Sequence, residues 1–547
     1  MPVDLVLHSG GVFTGTVRHP YATAVAVDGG RVVAVGTDAD VRGAVGAARE
    51  SVDLAGRLVT PGFTDAHVHP VMGGMERLVC DLTDAATLED SVDRVAAYAR
   101  SHPDEPWVVG GGWMMAAFPG GTPTKELLDA VVPDRPVYLL NRDHHGAWVN
   151  SRALEVAGVD ASTPDPPHGR LERDADGTPA GTLHEGAMDL VGRVRPKPVR
   201  EDYLAGLLEG QRFLHALGVT GWQDAIVGTY GGYEDTARVY RDALDAGRLT
   251  ARVVGAQWWA RGATVDDLDA RVAEHVRRRD AERSDRFRLT SVKIMVDGVA
   301  ENYTASMREP YLDACGCRTG NTGLSFLDPD VLRDAVVRLD AAGFQVHVHA
   351  IGDRAIGDAL DAFAAARGTH GGNDNRHHVA HLQVVHTDDV ARFAAHDVAV
   401  NMQALWACRD DQMVDLTLPF LGEERAAWQY PFGDLVRAGA RPVMGSDWPV
   451  SSPDPLQAIH VAVNRVAPGE DAEPLLPGQA LDVTTALGAY TSGSAWVNHE
   501  DEGGVVREGA RADLAVLDRD VLALPADEIA STSVDLTLVG GRPVFAR

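Results

Sequence analysis

The chain has 547 residues, 45% hydrophobic and 24% charged. This is an ordinary globular balance, with length enough for a large core and more than one domain. Its net charge of -29 argues against nucleic acid and anionic membrane surfaces as partners. Four cysteines, Cys80, Cys315, Cys317 and Cys408, form neither a disulfide framework nor a CxxC zinc pattern, and no stretch is long and apolar enough to span a membrane. MPVDLVLHSG at the N-terminus lacks the basic and apolar regions of a signal peptide, so a cytoplasmic location is expected.

Residues 1–60 read as short strands between turn residues, with Asp28-Gly29-Gly30 as a hairpin turn. Residues 500–547 repeat that pattern around Gly540-Gly541, which predicts one small β-domain built from both termini. Between them, apolar runs alternate with helical runs. The runs 61–69, 219–226, 252–259, 290–298, 344–352, 377–385, 398–406 and 441–449 predict the eight strands of a (β/α)8 TIM barrel, formed by 61–70 plus 216–499. The gap between the first two runs is too long for one crossover. Residues 71–215 therefore read as an inserted domain after strand 1, a candidate substrate lid.

Five of these runs carry a metal-type ligand toward their C-terminal ends: His67 and His69 in PGFTDAHVHP, Lys293 in SVKIMVDG, His349 in QVHVHAIGD, His381 in HHVAHLQVV and Asp447 in PVMGSDWPV. Two histidines at i, i+2 on a strand share a face, so His67 and His69 can grip one ion together. Imidazoles suit zinc, and a carboxylate can both touch a metal and accept a proton. His347 shares the face of His349, while His377, His378 and His386 lie near His381, so these positions have rivals on spacing alone.

Taken together, PGFTDAHVHP, VKIMVDG, HVHAIGDRA, HLQ, GSDWPV, the insertion segment HHGAWVNSRAL, GVAENYTASMREPYLD and EGARADLAVLD resemble the amidohydrolase superfamily, and within it the amidohydrolase-3 branch of YtcJ-like and N-substituted formamide deformylase-like proteins. The resemblance implies a urease-like β-sandwich from 1–60 plus 500–547, and it selects His349 and His381 over their neighbours. It also implies that Lys293 reacts with CO2 to give a carbamate that bridges one or two divalent ions, expected to be Zn2+. Two departures stand out. Pro167-His168-Gly169 replaces a frequent Gly-Gly, and Gln403-Ala404-Leu405-Trp406 replaces a Gln-Pro then His after the seventh strand.

The implied activity is metal-dependent hydrolysis of a C–N bond in an N-substituted amide or formamide, by metal-activated water with Asp447 as proton shuttle. The alternatives are hydrolysis of a cyclic amide, carbamate or ester in the same site, or a non-catalytic amidohydrolase-like regulator. His145 is a second catalytic candidate from the insertion, on resemblance. Trp113, Gln403, Trp406 and Trp448 are the candidate substrate contacts. A small-molecule amide is the expected partner, with a homodimer as candidate assembly.

Overall fold

The computed structural model describes residues 2–142, 144–166, 169–230 and 232–547. The first two residues of the Pro167-His168-Gly169 departure lie outside them. Eight strands, β1 (Phe63–Val68), β2 (Val219–Val227), β3 (Arg252–Trp258), β4 (Phe287–Met295), β5 (Gln345–Ala350), β6 (His378–His381), β7 (Ala399–Met402) and β8 (Pro442–Met444), pair in parallel in chain order. Each falls within or overlaps a run expected from the sequence.

The strands are buried on both faces, as helix-covered parallel strands must be. β5 shows the division of labour. Val346, Val348 and Ala350 face outward into a core with Leu332, Leu339 and Leu360 from the helices Pro329–Ala341 and Asp353–His370. Gln345, His347 and His349 alternate with them and face the barrel interior.

β1 and β8 are not joined by a regular ladder. They meet just past the end of β8, where the Asp447 N–H donates to the His67 carbonyl at 2.7 Å and the His69 N–H donates to the Trp448 carbonyl at 2.8 Å. A Cβ on Gly445 would lie 2.5 Å from the His67 nitrogen, so only glycine admits this approach.

Two further sheets come from the chain ends. One is four-stranded, with Arg31–Gly36, Ala24–Asp28, Val3–His8 and Ala48–Asp53 in spatial order. The other is five-stranded, with Gly11–Val12, Leu58–Pro61, Leu514–Leu517, Val534–Val539 and Arg542–Ala546. Leu5, Leu7, Val25 and Val27 pack with Leu514, Val516 and Leu538 in one core between them. The turn at Gly29-Gly30 has both residues at positive φ, 57° and 78°, the geometry of a type I′ hairpin.

Between β1 and β2 lies a six-stranded mixed sheet, in the order Gly169–Arg173, Pro179–Glu185, Gly146–Val149, Val137–Asn141, Val108–Trp113 and Cys80–Asp81. Two cores flank it. It leaves the barrel through the helix Pro70–Arg77 and returns through the helix Arg200–Ala216. These two helices touch backbone to backbone: a Cβ on Gly74 would stand 1.8 Å from the Gly206 carbonyl oxygen, and one on Gly210 would stand 2.3 Å from that of Pro70. No helix among the described residues is long and apolar enough to cross a membrane.

The close helix crossing generates a stability prediction. Gly74→Ala forces the pair apart, and overpacking of this kind costs about 1–3 kcal/mol. Chemical denaturation should show that loss, whereas Gly368→Ala, on the helix Asp353–His370 with nothing within 4 Å of its Cβ, should cost less.

Candidate metal centre at the barrel mouth

The C-terminal ends of β1, β4, β5 and β6 and the segment after β8 bring His67, Lys293, His349, His381 and Asp447 together. One ligand atom from each of His67, His381 and Asp447 falls within 4.8 Å of the others, and all three residues are buried. The Asp447 carboxylate lies 3.2 Å from His67 Nε2 and 3.0 Å from His69 Nε2. Lys293 Nζ is 3.2 Å from His67 Nε2. The His349 and His381 rings stand 4.4 Å apart, and those of His67 and His381 4.8 Å. His381 and Asp447 both adopt positive φ, 80° and 58°, a conformation that persists in non-glycine residues only where the surroundings enforce it.

Burial sets the protonation states. It pushes His67 and His349 down to about 3, in each case with help from the Lys293 charge, and it holds His381 well below the ordinary imidazole range. These rings are neutral, the state a metal ligand requires. Burial opposes ionisation of Asp447, but His67, His69 and His381 outweigh it and keep the carboxyl well below the usual carboxylate range. Burial also lowers Lys293 to about 7, within reach of the neutral amine at physiological pH.

The donor set fits a divalent cation. It offers neutral imidazoles and an ionised carboxylate, the ligands zinc favours. The buried Nδ1 atom of His381 has no hydrogen-bond partner among the described residues, and a buried polar atom in that condition calls for a partner. Asp297, a rival partner for Lys293, is engaged elsewhere: it accepts from the backbone N–H groups of Ile351, Gly352 and Ser306 at 2.9–3.0 Å.

The other expected site residues are dispersed. Trp406 is partly buried and stacks on His381, with ring centroids 5.4 Å apart and planes 10° apart. Trp113 is instead 1% exposed in a core of the inserted sheet, with its indole N–H bonded to the Leu139 carbonyl and its ring against Phe118 and Trp148. Trp448 packs over Gly73, where no side chain would fit beneath it, and against Phe213. Gln403 is 1% exposed and accepts the His381 backbone N–H at 2.7 Å. Trp113 was expected from an aromatic-rich piece of the insertion, Trp448 from a strand end and Gln403 from the segment after the seventh strand, yet packing claims Trp113 and Trp448, and backbone anchoring claims Gln403. His145 pairs through Nδ1 with Glu185 at 2.8 Å on the inserted sheet.

Several site residues were not expected. Asp224 on β2 is buried, accepts from the Tyr240 hydroxyl at 2.7 Å and is pushed up to about 6 by burial. It shares a small cavity with His69, Tyr230 and Tyr233. Asp65 accepts from the His67 and Ser446 N–H groups and is raised to about 7 by burial. Its spacing, i−2 from His67, puts it on the same interior face, a signal the sequence carried.

The comparisons with known proteins agree with this architecture. The profile of the amidohydrolase family matches residues 50–545. The chain is similar to YtcJ of Bacillus subtilis, at 29% identity over 99% of both chains. It is also similar to the N-substituted formamide deformylase of Arthrobacter pascens, at 29% identity over 98% of this chain and 97% of the relative. The crystal structure of an uncharacterized metal-dependent hydrolase from Pyrococcus furiosus aligns with a TM-score of 0.71 and 26% identity, over 95% of this chain and 99% of the other. With its barrel, its strand-end ligand set and a family match along nearly its whole length, the chain belongs to the amidohydrolase family.

Proposed function

We propose that the chain hydrolyses the C–N bond of an N-substituted amide or formamide, using one or two zinc ions held by His67, His69, Lys293, His349, His381 and Asp447. The observation that carries this reading is the convergence of His67, His381 and Asp447 within 4.8 Å. The relative named as an N-substituted formamide deformylase supports the choice of substrate class. When bound, such a cation supplies Lewis acidity, which polarises a carbonyl and lowers the pKa of water toward 7.

The chain's own groups then move the proton. Asp447 is ionised, and its backbone N–H bond to the His67 carbonyl fixes its place, so its carboxylate accepts a proton from the attacking water as the new C–O bond forms. It returns that proton to the nitrogen as the C–N bond breaks, and an amine and a carboxylic acid leave. Trp406, stacked on His381, forms an apolar wall beside the ligand set. In this reading the insertion is the lid, and His145, held by Glu185, meets the substrate from above. Lys293 attacks CO2 through its neutral amine, forms an N–C bond and loses a proton. The resulting carbamate contributes the anionic oxygen ligand that an ammonium cannot.

Asp447→Asn should separate chemistry from binding. Turnover of an N-formyl amine should fall by ~10²–10⁴, with most of the metal retained in elemental analysis. His67→Ala should lose the metal itself. Near wild-type kcat in metal-loaded Asp447→Asn would remove Asp447 as the shuttle.

Lys293 gives a pH signature. Its amine is neutral above about 7, and only the neutral amine captures CO2. Activation of metal-free protein by zinc should therefore depend on bicarbonate, and that dependence should set in faster as pH rises through 7. Lys293→Ala should lose metal and respond to added acetate. Bicarbonate-independent activation across this range would contradict the carbamate.

A further inference from the structure

Beneath the ligand set lies a layer of side chains whose hydrogen bonds have only one consistent direction. The Gln345 amide nitrogen faces two backbone carbonyls, those of Arg376 at 2.9 Å and Val497 at 2.6 Å. Only an NH2 group satisfies both, so the Gln345 oxygen points the other way and accepts. It accepts from Gln223 Nε2 at 2.8 Å, which also donates to Asn498 Oδ1 at 2.9 Å. Gln223 Oε1 is thereby an acceptor, and His347 Nδ1, 2.6 Å away, must carry its proton. His347 is fully buried and holds a single proton, so its Nε2 is bare. That Nε2 lies 3.0 Å from His67 Nδ1, and His67 must donate there.

A second path reaches the same answer from another anchor. Asn401 Nδ2 donates to the Ala66 carbonyl at 2.9 Å and to His378 Nδ1 at 3.1 Å. His378 then carries its proton on Nε2, which donates to Gln223 Oε1 at 3.1 Å. The Asn401 orientation is checked by Gln403. The Gln403 oxygen takes the His381 backbone N–H at 2.7 Å, and its nitrogen donates to Asn401 Oδ1 at 3.0 Å. The two paths meet at Gln223 Oε1 and assign it the same role.

We infer that His347 and Gln223 are positioning residues that lock His67 in the tautomer with Nδ1 protonated and Nε2 bare, facing Asp447 and Lys293 where the metal would sit. The inference rests on the reading of His67 as a metal ligand. The lock removes the competing tautomer, whose Nε2–H cannot ligate, and it aims the ring through a bond at the opposite nitrogen.

The test uses full-length protein labelled with 15N-histidine, studied by NMR without metal, with the His67 signals assigned by their loss in His67→Ala. His67 should show a protonated Nδ1 and a bare Nε2. In His347→Leu the signals should shift toward a mixture of tautomers, and zinc affinity, measured by competition with a chromophoric chelator, should fall about 10–100-fold. His347→Gln, which restores both an acceptor and a donor, should recover much of the affinity. A residue that merely packed would lower thermal stability and leave the tautomer unchanged. A His67 protonated on Nε2 in the wild type overturns the relay without any variant, as does an unchanged tautomer and zinc affinity in folded His347→Leu. If wild-type His67 shows the expected tautomer but zinc does not bind, the relay stands and the metal reading falls.

Discussion

The hydrogen bond from the Asp447 N–H to the His67 carbonyl is the splice on which the barrel mouth depends. β8 is only three residues long and forms no regular ladder with β1, so closure falls to the backbone just beyond it. That splice sets the Asp447 carboxylate against His67 and His69, and it requires glycine at 445 because the two chains run too close for a Cβ. The same stretch carries Trp448 into the groove over Gly73, which ties the inserted sheet's supporting helix to the last barrel strand. One contact thus couples fold closure, ligand placement and attachment of the insertion.

The barrel interior is polar where many barrels are filled with branched aliphatic residues. Gln223, Gln345, His347, His378 and Asn401 are all buried, and each would cost about 1–3 kcal/mol if left without a partner. Their bonds to one another and to backbone carbonyls offset that cost and leave little freedom to rearrange. Such a network trades stability for a single defined arrangement, which suits a site where several neutral imidazoles must point at one place. The outward faces of the same strands remain apolar, and the packing of Val346 and Val348 onto the flanking helices holds the barrel together.

Much of this was legible in the sequence because strand periodicity is local. The eight runs, the paired histidines at 67 and 69 and the hairpin at Gly29-Gly30 follow from patterns only a few residues long. The polar layer was harder to see. Gln345, His347 and His349 lie at i, i+2 and i+4 of one strand, so their shared face was readable, but the partners of Gln345 and His347, at 67 and 223, come from distant strands. Trp113 and Trp448 show the opposite failure. An aromatic residue near a strand end looks the same in sequence whether it lines a pocket or fills a core, and only the glycines that make room for Trp448 and the tryptophan beside Trp113 decide between them.

The most direct test of the metal centre is a crystal structure of zinc-loaded protein with anomalous diffraction measured on both sides of the zinc edge. The account predicts anomalous density bounded by His67, His381 and Asp447, with His69 Nε2, His349 and a lengthened Lys293 side chain at ligand distance. Fully metallated protein whose anomalous density lay away from the ends of β1, β6 and β8 would contradict it.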